Sequence, residues 1–445
     1  MPLQRLLRFL FALVVEVGLL AALNLFDDWT FAEMPVRFVT AGLLCGMAFL
    51  VTASDFPTHV SLSKQTVLFW SVAIALRLLA LPLEPGDDFW RYQWEGRIQQ
   101  AGFNPYVNPP DDPALERLRD EFPAWHKINH RHFRTIYPPG AELAFLALSR
   151  LSESPLFYKL LFAAADLLTA ALLLLLLPRG SRYANAVWYA WNPLVVYCFA
   201  GGAHFDSLMI LPMIGGVLLL SRLETATEPH DKWLLATGAA VLFGIAISIK
   251  LIPLLLLPLC AFALGRRAVV LALSVLTPAA LSLLYGYPRV PIWESLGDFA
   301  YLTRVNDLFW WIVEETVWPN PRQKNYQYNV ILIAAVTVVS LFFYRDWKRG
   351  TVWALGTALI LSPTLHPWYC TWILPFAAWR RAQPWHVLSV TLFAYFLFWN
   401  ERLFALPWRS ELWLRGIIML PPLVATLYLL MPKRTGDAPS AASAA

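Results

Sequence analysis

Long apolar runs separated by short polar segments fill the chain up to about residue 431. Residues 167–177, for example, carry no charged side chain. An α-helix needs roughly 17–25 apolar residues to cross a bilayer. The pattern therefore predicts an all-α polytopic membrane protein with apolar helices at 8–26, 36–54, 66–83, 156–177, 184–199, 205–222, 233–249, 251–264, 268–287, 327–344, 351–363, 367–379, 385–400 and 412–431.

Several of these predicted helices are short or contain proline, which is tolerated where a broken helix is buried in protein or lines a cavity. We therefore expect 11–14 crossings within one integral-membrane domain over residues 1–431. The first apolar segment is long and lacks a small-x-small cleavage site, so it is expected to be a retained helix. The small, polar tail at 432–445 is expected to be disordered and cytoplasmic.

Composition agrees with a membrane protein and excludes other classes. Of the 445 residues, 58% are hydrophobic and 15% are charged, whereas soluble domains average about 25% charged residues. The net charge of +5 comes from Lys and Arg in short clusters between apolar blocks. Positive-inside bias explains such clusters better than nucleic-acid binding does. The four cysteines lie far apart and form no CxxC motif, so we expect neither disulfides nor a cysteine metal site.

Basic residues give the predicted orientation. With the N-terminus in the cytoplasm, nearly every short cytoplasmic loop carries Lys or Arg, as the positive-inside rule requires. Two long loops, residues 84–140 and 288–327, then lie on the outer side of the cytoplasmic membrane. Long loops in compact proteins are often functional, so the chemistry is expected there.

Both outer loops have mixed apolar and polar faces, which predict short helices lying in the membrane interface. In the first loop a helix is predicted over residues 87–100, and a second, shorter one over 112–122. The sequence Gly-Phe-Asn-Pro-Tyr at 102–106 is expected to end the first of them. The second loop has a similar face over 292–317, with several tryptophans.

Two adjacent carboxylates, Asp87 and Asp88, follow the third predicted membrane helix. One interpretation is a solvated helix N-terminus, where the helix dipole favours negative charge. The other is a general base, because a carboxylate beside a bilayer is partly desolvated and its basicity rises. Such a base can take a proton from a sugar hydroxyl as that hydroxyl attacks.

The sequence around this pair resembles the first outer loop of the GT-C glycosyltransferases. The resemblance rests on Asp-Asp-x-x-Arg-Tyr-x-Trp-Glu-Gly-Arg at 87–97, Gly-x-Asn-Pro-Tyr at 102–106 and Ile-Tyr-Pro-Pro at 136–139. Further matches follow in order: Asn-Pro at 192–193, Gly-Ala-His-Phe-Asp at 202–206, Lys250 with Pro253, and His-Pro-Trp-Tyr at 366–369. The sequence is most similar to bacterial polyprenyl-phosphate-mannose-dependent mannosyltransferases, and more loosely to the enzyme that adds the first mannose to GPI anchors.

This resemblance implies an enzyme with an outward-facing active site that uses a sugar linked to polyprenyl monophosphate. The expected reaction moves a hexose, with mannose favoured, to a glycan or lipid acceptor with inversion, and an Asp of the first outer loop acts as base. Asp88 matches the family position best and Asp87 second. The GPI-type Asp-x-Asp pattern is replaced here by Gly86-Asp87-Asp88, so the identity of the base and the use of a metal stay open.

The donor phosphate requires cations, and the sugar requires polar side chains. The candidates for these contacts are Arg91, Tyr92, Glu95, Tyr137, His204, Asp206, Lys250, Arg304, His366 and Tyr369, with Arg402 as a further phosphate candidate. Lys250 either snorkels to the surface or pairs with the phosphate or a carboxylate such as Asp206. His366 is either a satisfied interface residue or a hydrogen-bond or proton donor to the leaving phosphate. His204 and Asp206 alone are too few ligands for a metal, so a divalent cation is compatible with the site but not required.

Other functions compete with glycosyl transfer. A lipid or sugar transporter or flippase would suit the helix number and the intramembrane charges Arg77 and Glu16. The Asp-bearing outer loop, and the lack of two halves with corresponding broken helices, argue against it. An outer-face ligase for diphosphate-linked glycans is a third interpretation. A membrane protease is disfavoured because neither an HExxH motif nor a GxSxG context occurs. The expected partners are the donor lipid, the acceptor and membrane lipids.

Overall fold

The computed structural model describes residues 3–29, 31, 33–322, 324–399 and 412–430. Within these ranges the chain is mostly helical and contains no β-strand, although an isolated bridge joins Val305 to Thr364. The predicted all-α fold class is therefore confirmed. Arg402 and the predicted tail at 432–445 lie outside the described residues.

The helices up to residue 284 include those of residues 84–140, the predicted first outer loop. They are α1 (Leu3–Ala22), α2 (Met34–Ser54), α3 (Leu62–Ala80), α4 (Asp87–Gln100), α5 (Glu116–Asp120), α6 (Pro139–Leu151), α7 (Pro155–Leu176), α8 (Arg182–Ala190), α9 (Pro193–Val196), α10 (Asp206–Leu223), α11 (Pro229–Ile249), α12 (Leu257–Leu264) and α13 (Ala272–Leu284). Short 3-10 segments cover Leu23–Leu25, Pro113–Leu115, Pro123–Lys127, Ile252–Leu256 and Gly265–Leu271, and a π-helical turn covers Tyr197–Gly201. Both helices predicted in the first outer loop are confirmed, as α4 and as α5 with its preceding turn.

The second part of the chain begins with the second outer loop. Its helices are α14 (Glu294–Leu302), α15 (Leu308–Thr316), α16 (Tyr326–Phe342), α17 (Trp347–Leu361), α18 (Pro367–Cys370), α19 (Leu374–Arg380), α20 (Gln383–Thr391) and α21 (Leu412–Leu430), with a 3-10 segment at Leu392–Trp399. The bridge between Val305 and Thr364 fixes this loop to the segment that precedes α18. The four cysteines are free and buried, as predicted.

Eight helical segments among the described residues are long and apolar enough to cross a membrane. They are Leu3–Leu25, Met34–Ser54, Leu62–Ala80, Pro155–Leu176, Asp206–Leu223, Pro229–Ile249, Ile252–Leu284 and Leu412–Leu429, and Tyr326–Phe342 is a shorter apolar helix. The predicted helices at 184–199 and 367–379 are instead formed by two shorter pieces each. Pro193 and Pro375 stand at the first turns of the second pieces, where a proline suits the start of a helix. The polytopic membrane prediction is confirmed.

A buried ion pair joins α3 to α7. The Arg77 guanidinium donates from Nε and Nη2 to Asp166 Oδ2, at 2.8 and 2.6 Å, and both side chains are almost fully buried. Arg77 also donates to the Ala73 and Ala190 carbonyls. The intramembrane charge that raised the possibility of transport is thus matched inside the helix bundle, and its contacts are structural.

Helix α4 is largely buried, although its mixed face predicts an interfacial helix. Trp94 and Ile98 pack with Leu115 of the same loop, which folds over the helix. On the other side α4 approaches α6 at Gly96, where a Cβ atom would lie only 2.5 Å from the Phe145 carbonyl oxygen. Glycine permits this approach because it has no Cβ. The first outer loop is therefore a packed unit with a rigid α4 at its centre.

Candidate active site

Asp87 and Asp88 form the first turn of α4, at the point where two loops meet. The Gly86 N–H donates to the Gly202 carbonyl at 3.0 Å, so the turn before α4 is tied to the turn before α10. A Cβ atom on Gly86 would lie 3.3 Å from that carbonyl and 3.4 Å from His204 Nε2. The close contact brings the turn that carries the aspartate pair beside His204.

Asn129 bridges the two carboxylates. Its Nδ2 donates to Asp88 Oδ1 at 2.9 Å and to Asp87 Oδ2 at 3.2 Å. The Asp88 N–H also donates to Asp87 Oδ1 at 3.1 Å. Sequence reasoning missed Asn129, because a lone asparagine in a polar loop belongs to none of the motifs in the first outer loop. One amide thus holds both candidate bases in fixed positions.

Burial is the first cause that raises the pKa of Asp88 above its ordinary value, and the neighbouring Asp87 carboxylate is the second. The Asn129 amide and the Lys250 charge act in the opposite direction and lower it. The pKa of Asp87 is also raised by burial, with Asn129 lowering it. A general base works best when its pKa lies near the operating pH, and the raised pKa brings Asp88 closer to that condition. The Asp206 charge also raises the pKa of Asp88.

Lys250 is paired with Asp206 inside an aromatic cage. Its ammonium lies 2.6 Å from Asp206 Oδ1, which also accepts a 2.6 Å hydrogen bond from the Trp372 indole N–H. The rings of Phe205, Tyr369 and Trp372 lie 5.0–5.1 Å from the same ammonium. Of the sequence interpretations, the structure supports the pairing with Asp206. An ammonium has three N–H donors, so the aspartate leaves capacity for a second anion.

His204 and His366 both stack on the Trp368 ring. The ring centres lie 4.0 Å apart for His204 and Trp368, and 4.5 Å apart for His366 and Trp368. Burial, followed by the Lys250 charge, lowers the pKa of His204 well below its usual value and that of His366 to about 3. Both imidazoles are therefore neutral at pH 7. A neutral His366 can donate a hydrogen bond to a leaving phosphate, and this role is favoured over transfer of a proton to it.

Two buried polar atoms in this cluster have no hydrogen-bond partner within the described chain. They are His204 Nδ1 and Asp206 Oδ2. Buried polar atoms are normally hydrogen-bonded, so these two are the best candidates for contacts to a bound substrate. His366 differs, because its Nδ1 lies 3.0 Å from the Tyr395 hydroxyl, a second residue that sequence reasoning missed.

The predicted tyrosines line the same region. Tyr92 packs against Tyr137 and Phe205, at ring distances of 5.4 and 5.1 Å. Tyr369 is stacked on Trp372 at 4.2 Å. These rings form a rigid wall between α4, α10 and α18. The structure thus brings together the predicted residues Asp87, Asp88, Tyr92, Tyr137, His204, Asp206, Lys250, His366 and Tyr369.

Arg91 and Glu95 lie behind this wall and bond to other protein groups. Arg91 donates to Glu95 at 2.8 Å, to the His130 carbonyl at 3.0 Å and to the Phe133 carbonyl at 2.5 Å. Glu95 also accepts from Thr135 at 3.2 Å. All three guanidinium nitrogens of Arg91 are used, so it holds the loop segment that carries Asn129. These contacts favour positioning roles over direct phosphate contact.

Arg304 lies in a separate ionic cluster of the second outer loop. It donates to Glu314 at 2.5 Å and to Asp307 at 2.6 Å through Nε. Val305, which follows Arg304, pairs with the segment before His366, because the Leu365 N–H donates to the Val305 carbonyl at 2.8 Å. Asn306 Nδ2 also donates to the Leu365 carbonyl at 3.0 Å. Arg304 thus anchors a loop that supports His366.

A metal site is not built by these side chains. Within the part of the chain that the structure describes, no group of three or more His, Cys, Asp or Glu side chains is arranged to hold a metal ion. The Lys250 ammonium contacts Asp206 directly, and its charge lowers the pKa of Asp88. The cluster can therefore combine a base, a fixed cation and neutral hydrogen-bond donors.

Comparison with known protein families gives a match. The model of the family described as alpha-(1->6)-mannopyranosyltransferase, N-terminal domain, matches residues 13–266. This range covers more than half of the chain and includes Asp88, His204 and Lys250. Neither a curated protein nor a solved structure matches the chain.

Proposed function

Because the chain belongs to the alpha-(1->6)-mannopyranosyltransferase family, and is therefore a multi-pass membrane mannosyltransferase, we propose that it takes mannose from polyprenyl-phosphate mannose. The acceptor is the hydroxyl of a glycan or glycolipid on the outer face of the cytoplasmic membrane. Family membership argues against a transporter, flippase or protease as the main activity. The observation that carries the proposal is the Asp88 carboxylate, held by Asn129 and acted on by Lys250 and Asp206.

In the proposed reaction the acceptor oxygen attacks the anomeric carbon of the donor mannose. A bond forms between these two atoms, and the bond from the anomeric carbon to the phosphate oxygen breaks. The leaving polyprenyl phosphate keeps the electron pair of that bond. Asp88 takes the proton of the acceptor hydroxyl, because its raised pKa makes it a stronger base than an exposed carboxylate. Asp87 accepts from the Asp88 N–H and fixes the turn.

Lys250 is proposed to hold the donor phosphate. One of its three donors is directed to Asp206, and the ammonium retains capacity for a phosphate oxygen. The surrounding aromatic rings restrict the ammonium to this position. His366, kept neutral by burial, donates a hydrogen bond to the leaving oxygen without having to lose a proton. Positive charge and hydrogen bonds placed where negative charge develops stabilise the transition state.

The sugar itself is proposed to contact His204 and Asp206. Their atoms His204 Nδ1 and Asp206 Oδ2 are buried and lack partners within the described residues. One is a nitrogen that donates or accepts according to its tautomer, and the other is an acceptor. Together they suit two neighbouring hydroxyls of a mannose ring. The tyrosine wall closes the other side of the ring and limits access of water.

The proposed location follows from the charge of the loops. The first outer loop carries the site, and the opposite ends of the membrane helices carry the basic clusters that predict the cytoplasmic side. A lipid-linked donor suits this location because nucleotide sugars are cytosolic, whereas a polyprenyl chain keeps its sugar in the membrane.

The donor is tested with purified protein in lipid nanodiscs. Radiolabelled mannose is supplied as polyprenyl-phosphate mannose or as GDP-mannose, and polyprenyl-phosphate glucose and arabinose are run in parallel, each with an α-(1→6)-mannan acceptor. We expect transfer from polyprenyl-phosphate mannose alone. Transfer from GDP-mannose with none from the lipid donor would contradict the proposal. A preference for glucose or arabinose would contradict the assigned sugar.

A further inference from the structure

A polar cavity of about 620 Å³ opens on the first outer loop beside the aspartate pair. Its wall includes Asp111, Trp125, Asn129, Arg131 and His132. Ligand pockets in proteins commonly measure about 300–1,000 Å³. The volume is therefore ample for one or two sugar rings.

The Asn129 side chain links this cavity to the proposed base. Asn129 lines the cavity and donates to Asp88 Oδ1 at 2.9 Å and to Asp87 Oδ2 at 3.2 Å. A molecule in the cavity that contacts the Asn129 amide is therefore separated from Asp88 only by the length of that amide. This is the place where the attacking hydroxyl of an acceptor has to arrive.

The cavity wall is rigid. Ile128 is 3% exposed and packs in a core with Trp94 of α4. Arg91 holds the carbonyls of His130 and Phe133. Trp125 donates its indole N–H to the Pro110 carbonyl at 3.1 Å, and the Arg131 guanidinium lies 4.4 Å from its ring centre. A wall fixed in this way costs little ordering energy when a ligand binds.

The charge of the cavity distinguishes the acceptor from the donor. Asp111 and Arg131 carry opposite formal charges, and the other polar groups of the wall are amide and imidazole. A phosphate-bearing lipid requires cations and an apolar groove, which the Lys250 region and the membrane helices supply instead. A neutral sugar requires hydrogen-bond donors and acceptors side by side, as a carboxylate, an amide and imidazoles provide.

We propose that this cavity is the acceptor subsite and binds the terminal, uncharged sugar of a glycan so that its hydroxyl reaches Asp88 past Asn129. The inference rests on the proposed function for the identity of the reaction. It assigns sugar contacts to Asp111 and His132, which line the cavity together with Asn129. The Asp111 side chain is exposed at the cavity, so its carboxylate is accessible to sugar hydroxyls.

The test uses the double variant Asp111→Asn/His132→Ala of the full-length protein in nanodiscs. Its matched control is Asp120→Asn/His230→Ala, because both control side chains are exposed and lie outside the cavity. With polyprenyl-phosphate mannose saturating, the acceptor KM of the cavity variant should rise roughly tenfold or more, because two side chains each lose a hydrogen bond to the sugar. The donor KM and kcat should stay within about twofold.

Direct binding separates this inference from the proposed function. Binding of α-(1→6)-mannobiose is measured by saturation-transfer NMR without any donor. Binding to the wild type and the control, with loss in the cavity variant, supports the subsite even if no transfer from the lipid donor is found. Equal binding in all three proteins, no binding to the wild type, or an unchanged acceptor KM in the cavity variant would overturn it.

Discussion

Replacing Asn129 by leucine should make Asp88 a base that ionises only at higher pH. Leucine keeps the size of the side chain but removes both hydrogen bonds to the carboxylates. Those bonds favour the ionised form and lower the pKa of Asp88. Without them the folded-state pKa rises further, so a smaller fraction of Asp88 is ionised at any pH below it.

The size of this rise follows from the number and type of the lost hydrogen bonds. A hydrogen bond to a charged group contributes about 1.5–3 kcal/mol, and 1.36 kcal/mol corresponds to a tenfold change in a proton-binding equilibrium. Since Asn129 is shared between two carboxylates, we expect the acidity constant of Asp88 to fall by about 10- to 100-fold. At a pH well below the wild-type midpoint, kcat should fall by the same factor of about 10 to 100.

The assay is the pH dependence of kcat with saturating donor and acceptor, which reports the groups of the enzyme–substrate complex. The rising acidic limb should move to higher pH, and kcat should approach the wild-type value at its alkaline end. Asn108→Leu is the matched control, because Asn108 lies in the same loop but donates to Asp112 at 2.9 Å. An acidic limb at the same pH in Asn129→Leu as in the wild type, or an equal loss of kcat at every pH, would contradict a role of Asn129 in lowering the pKa of Asp88.

Three further predictions concern the donor cation, the helix bundle and the packing of the loop. Lys250→Met should lower kcat at least about a hundredfold, because it removes the proposed phosphate contact and leaves buried Asp206 unpaired. The measurement is single-turnover transfer, and a change below about threefold would contradict the role of Lys250 as the phosphate ligand. Arg77→Met should lower the free energy of unfolding by about 3–5 kcal/mol, because it leaves the buried Asp166 carboxylate unpaired. The measurement is an unfolding curve in detergent, and unchanged stability would show that Asp166 is satisfied by other groups. Gly96→Ala should cost about 1–3 kcal/mol through overpacking against α6, measured as a lower Tm, whereas Gly297→Ala, with open space around it, should leave Tm nearly unchanged.

Hydropathy predicted the helices well because the apolar runs and their polar ends are local signals. The predicted segment 36–54 corresponds to Met34–Ser54, and 156–177 to Pro155–Leu176. The segments at 184–199 and 367–379 were harder, because their apolar character is continuous while Pro193 and Pro375 divide them into separate helices.

Part of the site could also be predicted from the sequence. Lys250 stands out in the sequence because a charge between apolar blocks requires an explanation, whereas Asp88 and His366 follow from the family resemblance, and the structure gathers all three. Arg91 and Arg304 were chosen by residue type alone. Whether a guanidinium is available to a substrate depends on its tertiary partners, which for Arg91 are two carbonyls and Glu95. Asn129 and Tyr395 were missed for the same reason, since only the folded chain brings them to Asp88 and His366.

The central claim is that Asp88 is the base for mannosyl transfer from polyprenyl-phosphate mannose. Its most direct test is the single-turnover rate of Asp88→Asn in nanodiscs, measured together with the Kd for the lipid donor. Asp120→Asn, an exposed aspartate of the same loop, serves as control. General-base catalysis contributes about 10²–10⁴-fold, so we expect a loss in that range with a donor Kd within about twofold of wild type. A variant that binds donor normally and keeps more than a tenth of the wild-type rate would contradict it.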